Sequence, residues 1–361
     1  MKHKILCFGE IMGRFTPPHL LRLGQNTPGS FDFHFAGAEA NVATALSHWG
    51  MDTKMVTALP DHHAIADACI RSMQGYGVDI SNILRAEQGR LGLYFVEQGI
   101  NQRSGQVIYD RSHSSFSLTP PDQYPWDSIL AGVTHLHITG ITPALSRHAL
   151  ESTLELVNMA KQKQVSISLD MNYRESLWTW DDSKTPLSLA KDSFRKLMPQ
   201  IDLLIANELH ARACLDLNID SEISDPFDIT KNSLVCESIL EAYPNLSKVA
   251  LNLRHSTSSQ AHEWGATLQD RSTGKTYCAP LENDVFKPYK INHVLDRVGA
   301  GDAFSAGLLF GLCQNYEIQD AMNFAAASAC LAHSIHGDLN IFTRDEIQNL
   351  ANSPNSWWLK R

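Results

Sequence analysis

The chain has no C-x-x-C pair, no run of apolar residues near the length of a membrane span, and no block of five like charges. Each absence removes a class of function. The seven cysteines (Cys7, Cys69, Cys214, Cys236, Cys278, Cys313, Cys330) are scattered and odd in number, which argues against a disulfide framework or a thiolate zinc site. Reduced, mostly buried thiols are expected. A bilayer-spanning helix needs about 20 apolar residues. The opening "MKHKILCFGEIM" offers four before Gly9 and no small-residue cleavage site, so it reads as a first strand rather than a signal peptide. The formal net charge of −9 comes without the basic stripe that would track a phosphodiester backbone. A soluble cytoplasmic protein that binds neither nucleic acid nor membrane follows.

What is present is ordinary in composition: 43% hydrophobic and 19% charged residues over 361 positions, values of a folded globular enzyme. The order of elements is more informative. "KILCFG" (4–9) is a short apolar run ending in glycine, the form of a buried strand. "FHFAGAEANVATALSHWG" (33–50) passes through Gly37 into an Ala-rich helical pattern closed by Gly50. Strand patterns return at 53–60, 133–140, 165–172, 201–208 and 248–254, with helices at 67–77 and about 146–163. Such alternation predicts a parallel sheet covered on both faces, with its ligand crevice at the carboxyl ends of the strands. Between about 85 and 117 the texture changes. "RLGLYFVEQG", "SGQVIYDRS" and "SSFSL" read as hairpin strands with no helix between them, an antiparallel flap inserted in the α/β chain.

"DRVGAGDAFSAG" (296–307) sets a carboxylate, Asp302, inside a glycine-rich turn that opens a helix. Helix N-termini leave about four backbone N–H groups free, and glycines let a phosphate approach them. An aspartate there is the wrong sign to be the bound anion; it suits a base that takes a proton from a hydroxyl attacking a phosphoryl group held by those N–H groups. On pattern alone the stretch is equally an ordinary helix start with an acidic first turn. Neither G-x-G-x-x-G nor G-x-x-x-x-G-K-[ST] is completed, which disfavours dinucleotide binding and a Walker loop.

At these residues a resemblance enters. "DRVGAGDAFSAGLLFGL" is similar to the second signature of the ribokinase-like (PfkB) carbohydrate kinases, "FAGAEANVATALSHWG" to their first glycine segment, and "AAASACLAHSIHGDLN" (325–340) to the carboxyl-terminal helix and turn beside the adenine site. "LGLYF" (91–95), "VIYDRSHSSFS" (107–117), "LDMNYRESLW" (169–178) and "LNLRHSTSS" (251–259) resemble the 2-keto-3-deoxygluconate kinase branch. The resemblance covers nearly the whole chain. It implies one kinase domain over 1–361, a three-layer α/β/α sandwich with a mostly parallel sheet, and a small β lid from segments about 12–35 and 85–118. It also implies ATP and Mg2+ as cofactors and phosphorylation of the primary hydroxyl of 2-keto-3-deoxygluconate. A kinase for another sugar, such as fructose or ribose, and a non-catalytic sugar-acid sensor are the alternatives.

Residue by residue, the resemblance makes Asp302 the general base and Gly299, Ala300 and Gly301 the anion hole. Gly37 and Asn41 would face the sugar, joined by Tyr94 and Tyr109 from the lid. Arg111 and Arg174 would meet the substrate carboxylate, and a guanidinium fork is the side chain that pairs a carboxylate bidentately. Asn207, Ser256, Gly265 and Asn323 would meet the nucleotide. Two departures stand out. In "NELH" His210 occupies the place where many family members carry the glutamate of an Asn-x-x-Glu motif that organises Mg2+. Arg14 in "GEIMGRF" lies where neutral-sugar kinases carry an aspartate, which fits an acidic substrate. "DHH" (61–63) and "HLH" (135–137) lack the spacing of a zinc site, and "SWWLKR" reads as a packing tail. Apolar strands at 91–96 and 107–109 would need covered edges, which predicts a homo-oligomer, a dimer through the β lids.

Overall fold

The computed structural model describes residues 3–217 and 224–353, so "SWWLKR" lies outside the described residues. Five strands expected from the sequence, Lys4–Phe8, His135–Thr139, Ser166–Asp170, Leu203–Ala206 and Lys248–Ser256, together with Asp52–Val56, form the parallel part of one sheet. His262–Asp270, Lys275–Ala279 and Tyr289–Ile291 extend it antiparallel at the far side. The run 53–60 divides: Ala58–Pro60 leaves the main sheet and pairs with Leu84–Ala86.

These strands are apolar on both faces because both faces are covered. Ile5 and Cys7 join one core with the helices Ala38–His48, Ala300–Cys313 and Ile318–Ala332, while Leu6 and Phe8 join a second core with Arg147–Gln162, Pro186–Leu197 and Ile229–Ala242. Period-two alternation thus serves two hydrophobic layers at once. The helices 300–313 and 318–332 approach closely, since a Cβ on Gly307 would stand 2.7 Å from Ala325 Cα. Among the described residues no helix is long and apolar enough to cross a membrane, and the seven cysteines are free.

A second sheet of four strands runs Asp32–Ala36, Met12–Thr16, Gly92–Glu97, Gln106–Asp110. The expected strand at "SSFSL" is instead a short helix, Ser115–Leu118. Ser114 Oγ accepts from Ser117 N at 3.2 Å, and this cap overrides strand propensity while Phe116 turns onto Phe8, ring centroids 5.3 Å apart.

One ion-pair network ties the second sheet to the main body. Arg14, 1% exposed, faces Tyr94 across the strand pair and donates from Nη1 to Asp338 and from Nη2 to Asp296. Tyr94 Oη donates to the other oxygen of Asp338 at 2.7 Å. The expectation that Arg14 answers an acidic substrate is therefore corrected: its charge is spent on two buried aspartates far away in sequence. Removing one member of a buried ion pair typically costs about 3–5 kcal/mol. Arg14→Ala and Arg14→Met should both lose stability of that order in urea denaturation. Burial already holds the Asp338 pKa above its usual value, so the deficit should shrink on acidification as that carboxyl takes up a proton.

Candidate active site

The site lies at the carboxyl edge of the parallel strands. Gly299 precedes the helix Ala300–Cys313 with φ of +86°, and a Cβ there would stand 2.4 Å from Asp338 O. Glycine is required on both counts. A Cβ on Gly301 would meet nothing within 4 Å, so the space over the first turn is open where the N–H groups of that turn lack intrahelical partners. Ala300 opens the helix and is buried. Asp302, 8% exposed, sits in this turn and accepts from Asn41 Nδ2 through Oδ2 at 2.7 Å. Asn41 Oδ1 accepts from Gly37 N at 3.3 Å. A Cβ on Gly37 would come within 2.2 Å of Glu10 O. Asn41 thus joins the two glycine segments, 261 residues apart.

Carboxylates crowd this edge. Burial pushes the Asp302 pKa well above the usual carboxylate range, Asn41 opposes that shift, and Asp170, Asp338 and Glu39 add to it. Asp170, at the end of its strand, rises to about 6, chiefly through burial, with Arg174 opposing. Its carboxylate accepts from Ser305 Oγ at 3.4 Å. Glu39 is likewise raised by burial while its Oε1 accepts from Thr139 N, Thr139 Oγ1 and Thr142 Oγ1. Several acids that share one desolvated place mark a site built around charge movement.

The residues expected to face the sugar differ in how free they are. Arg111 donates from Nε at 2.8 Å and from Nη2 to Glu10 Oε2, which fixes its guanidinium and leaves Nη1. Glu10 Oε1 is buried without a donor, an acceptor position for a hydroxyl. Tyr94 Oη is held by Asp338. Tyr109 is half-buried, its ring 6.2 Å from that of Tyr94 and 5.5 Å beneath the Arg111 guanidinium. Arg174 is exposed just beyond Asp170.

On the nucleotide side, Asn207 caps the helix Glu208–Leu215. Its Oδ1 accepts from His210 N at 2.8 Å and its Nδ2 meets His210 Nδ1 at 2.8 Å, so the imidazole occupies the Asn207 side chain. His210 is held down to about 4 by burial, Arg174 and Arg254. Ser256 ends its strand, exposed. Gly265 lies under Phe286, whose ring would stand 2.8 Å from a Cβ. Asn323 is half-buried on its helix and accepts from Gln319 Nε2 at 3.2 Å. Among the described residues no three His, Cys, Asp or Glu side chains gather as a metal cage. His135 and His137 do share a face, where both meet Ser168 Oγ, at 2.9 and 2.8 Å.

A family model described as pfkB family carbohydrate kinase matches residues 2–232 and 274–344. The chain belongs to that family. It is 30% identical to a 2-dehydro-3-deoxygalactonokinase of Haloferax volcanii, with 97% of each chain covered. It is 24% identical to a 2-dehydro-3-deoxygluconokinase of Bacillus subtilis, covering 96% of this chain and 95% of the other. A crystal structure of a 2-dehydro-3-deoxygluconokinase from Thermotoga maritima superposes with a TM-score of 0.87 at 33% identity, over 97% of this chain and all of the other. The fold is therefore ribokinase-like, and the open turn beside Asp302 belongs to a sugar kinase.

Sequence reading passed over Glu10, Glu39, Asp170, Asp296 and Asp338. For the last two a signal was available, since both flank quoted glycine turns, "DRVGAG" and "HGD". The Asn41 hydrogen bond favours the ionised form of Asp302. Asn41→Ala should move the acid limb of the kcat/KM pH profile to higher pH, because the carboxylate, once deprived of that donor, deprotonates later; an unmoved limb would separate the two residues.

Proposed function

We propose that the protein transfers the terminal phosphoryl group of ATP to the primary hydroxyl of 2-keto-3-deoxygluconate, yielding 2-keto-3-deoxy-6-phosphogluconate. The observation that carries this reading is Asp302. Asn41 fixes one oxygen of its carboxylate, the other has no hydrogen bond among the described residues, and the open anion-binding turn lies beside it. Asp302 takes the hydroxyl proton as the sugar oxygen attacks the γ-phosphorus, the bond to the β–γ bridging oxygen breaks, and the N–H groups of Gly299, Ala300 and Gly301 receive charge on the transferring oxygens. A raised pKa makes Asp302 a stronger base once ionised. The keto acid's carboxylate is met by Arg174, with Arg111 held ready by Glu10 and Tyr109 beneath it. Gly37, Asn41 and Tyr94 form the floor and roof of the sugar cleft, and the second sheet acts as its lid.

Asn207, Ser256, Gly265 and Asn323 are proposed to line the nucleotide side. Mg2+ characteristically uses one or two carboxylates plus substrate phosphates rather than a protein cage. Asp170 is the carboxylate on the sheet edge that fits this, and Mg2+ there would offset phosphate charge. The Haloferax relative acts, by name, on the galacto form, so both C4 epimers belong in the test.

ADP release with ATP and Mg2+ should be confined to the 2-keto-3-deoxy acids and absent with gluconate, fructose and ribose. Equal turnover on fructose or ribose would remove the carboxylate assignment, and keto-acid binding without turnover would favour a sensor. Asp302→Asn should keep sugar affinity and lose about 10²–10⁴-fold in kcat; most of the turnover surviving would remove the base. Arg174→Ala should raise KM for the keto acid by tenfold or more.

A dimer through the lids is part of the proposal. On the lid face opposite Tyr94, Phe15, Phe31, Phe33 and Phe95 form a half-buried aromatic cluster, with Phe15 stacked on Phe95 at 5.4 Å, and the edge strand exposes Val107 and Ile108. Such a patch is covered in most soluble proteins. Light scattering at micromolar concentration should give twice the chain mass; a monomeric mass would remove the dimer.

A further inference from the structure

Arg174, Arg254 and Arg297 are three guanidinium groups at the carboxyl edge of the sheet that have neither a hydrogen bond nor an ion pair among the described residues. The other arginines around the cleft are taken: Arg14 by Asp296 and Asp338, Arg90 by Asp110, Arg111 by Glu10. Backbone contacts bring the segment of Arg297 beside the strand that carries Arg254. Val294 N donates to Gln260 O at 3.0 Å and Leu295 N to His333 O at 2.9 Å, which lays Arg297 over the ladder where Arg254 faces Trp264 and Ser256 faces His262. His333 packs against His262 and Trp264, ring centroids 5.6 and 5.5 Å apart. His262 is 2% exposed with both ring nitrogens unpartnered. Arg297 also lines a cavity of about 90 Å³ between the lid residues Gln98, Gly105 and Val107 and the segment 294–298.

We propose that Arg254 and Arg297, flanked by Arg174, clamp the terminal phosphates of the nucleotide donor. The inference deepens the kinase reading and rests on it. All three are exposed, and like charges gathered without a counter-ion repel: the Arg254 pKa is lowered by the partial desolvation of its guanidinium, then by Arg297 and Arg174. A polyanion relieves that repulsion. The keto acid brings a single negative charge, which one guanidinium fork neutralises, whereas a triphosphate brings several. Arg297 is two residues ahead of Gly299, so it shares the backbone of the turn proposed to hold the transferring group. Position 210 fits the same logic. Arg174 and Arg254 both push the His210 pKa down, and a neutral imidazole there leaves their charge for an incoming anion.

The test needs no acceptor sugar. Calorimetric affinities for adenosine, AMP, ADP and a non-hydrolysable ATP analogue are compared for the unaltered protein, Arg254→Ala, Arg297→Ala and the two lysine variants. Each alanine variant should weaken the ATP analogue by tenfold or more and ADP by less, while adenosine binding is unchanged and reports an intact fold. Lysine, which keeps the charge but not the fork, should restore part of the loss. The salt dependence of analogue binding should flatten in the alanine variants. Equal losses for adenosine and the analogue, or unchanged analogue affinity, would overturn the clamp, as would loss of keto-acid affinity with the analogue untouched. If 2-keto-3-deoxygluconate proves not to be the acceptor, the analogue-versus-adenosine difference still stands, so the two failures are distinguishable.

Discussion

The contact on which the site depends is the buried guanidinium of Arg14 between Asp296 and Asp338. It starts on a strand of the second sheet that begins four residues after Phe8, the end of the strand Lys4–Phe8 of the main sheet, and ends on two loops that bracket the glycine turn. Asp338 O is the atom that forbids a side chain at Gly299, and Tyr94 from the neighbouring strand closes on the same aspartate. The position of the lid and the shape of the anion-binding turn are therefore fixed by one set of charges. Because those charges are desolvated, their geometry is stiff: any shift that lengthens a pair exposes an uncompensated ion to a medium that solvates it poorly.

That stiffness explains how acids can be gathered where an anion must bind. Glu39 is satisfied by Thr139 and Thr142, Asp170 by Ser305 and the Asn172 N–H, and Asp338 by Arg14 and Tyr94. Among the described residues Asp302 takes its one side-chain hydrogen bond on Oδ2, and Glu39 takes all of its on Oε1. Burial raises the proton affinity of Asp302, and Asn41 keeps it from rising further.

The sheet was legible in the sequence because each parallel strand is a short continuous apolar run, and the two-core arrangement demands that both sides of each run be hydrophobic. Gly299, Asp302, Gly37 and Asn41 were legible because their chemistry lies within two short local patterns, and the structure joins those patterns through one hydrogen bond. The polar partners were not. Glu10 and Arg111 are 101 residues apart and Arg14 and Asp338 are 324 apart, and no local spacing encodes which arginine a given acid will meet. "SSFSL" misled for a different reason: its alternation is that of a strand, but a serine cap decides a four-residue segment more strongly than periodicity does.

Arginine shows why partner, not position, assigns a role in this cleft. Arg14 and Arg111 both sit on lid segments that suggest substrate contact, yet one is consumed by two aspartates and the other is bound on two nitrogens by Glu10. Arg254 and Arg297 sit in stretches whose resemblance was plain but whose arginines had no assigned task, and with Arg174 they are left unpaired among the described residues. A paired guanidinium holds structure, because its field is cancelled within a few ångströms; an unpaired one projects its field into the cleft and raises the affinity for whatever negative charge arrives there. The cleft is thus divided by charge balance: Arg14 and Arg111 are neutralised under the lid, Arg174 keeps its charge for the sugar acid, and Arg254 and Arg297 keep theirs for the phosphates, with Asp302 at the boundary where the sugar hydroxyl and the phosphoryl group must meet.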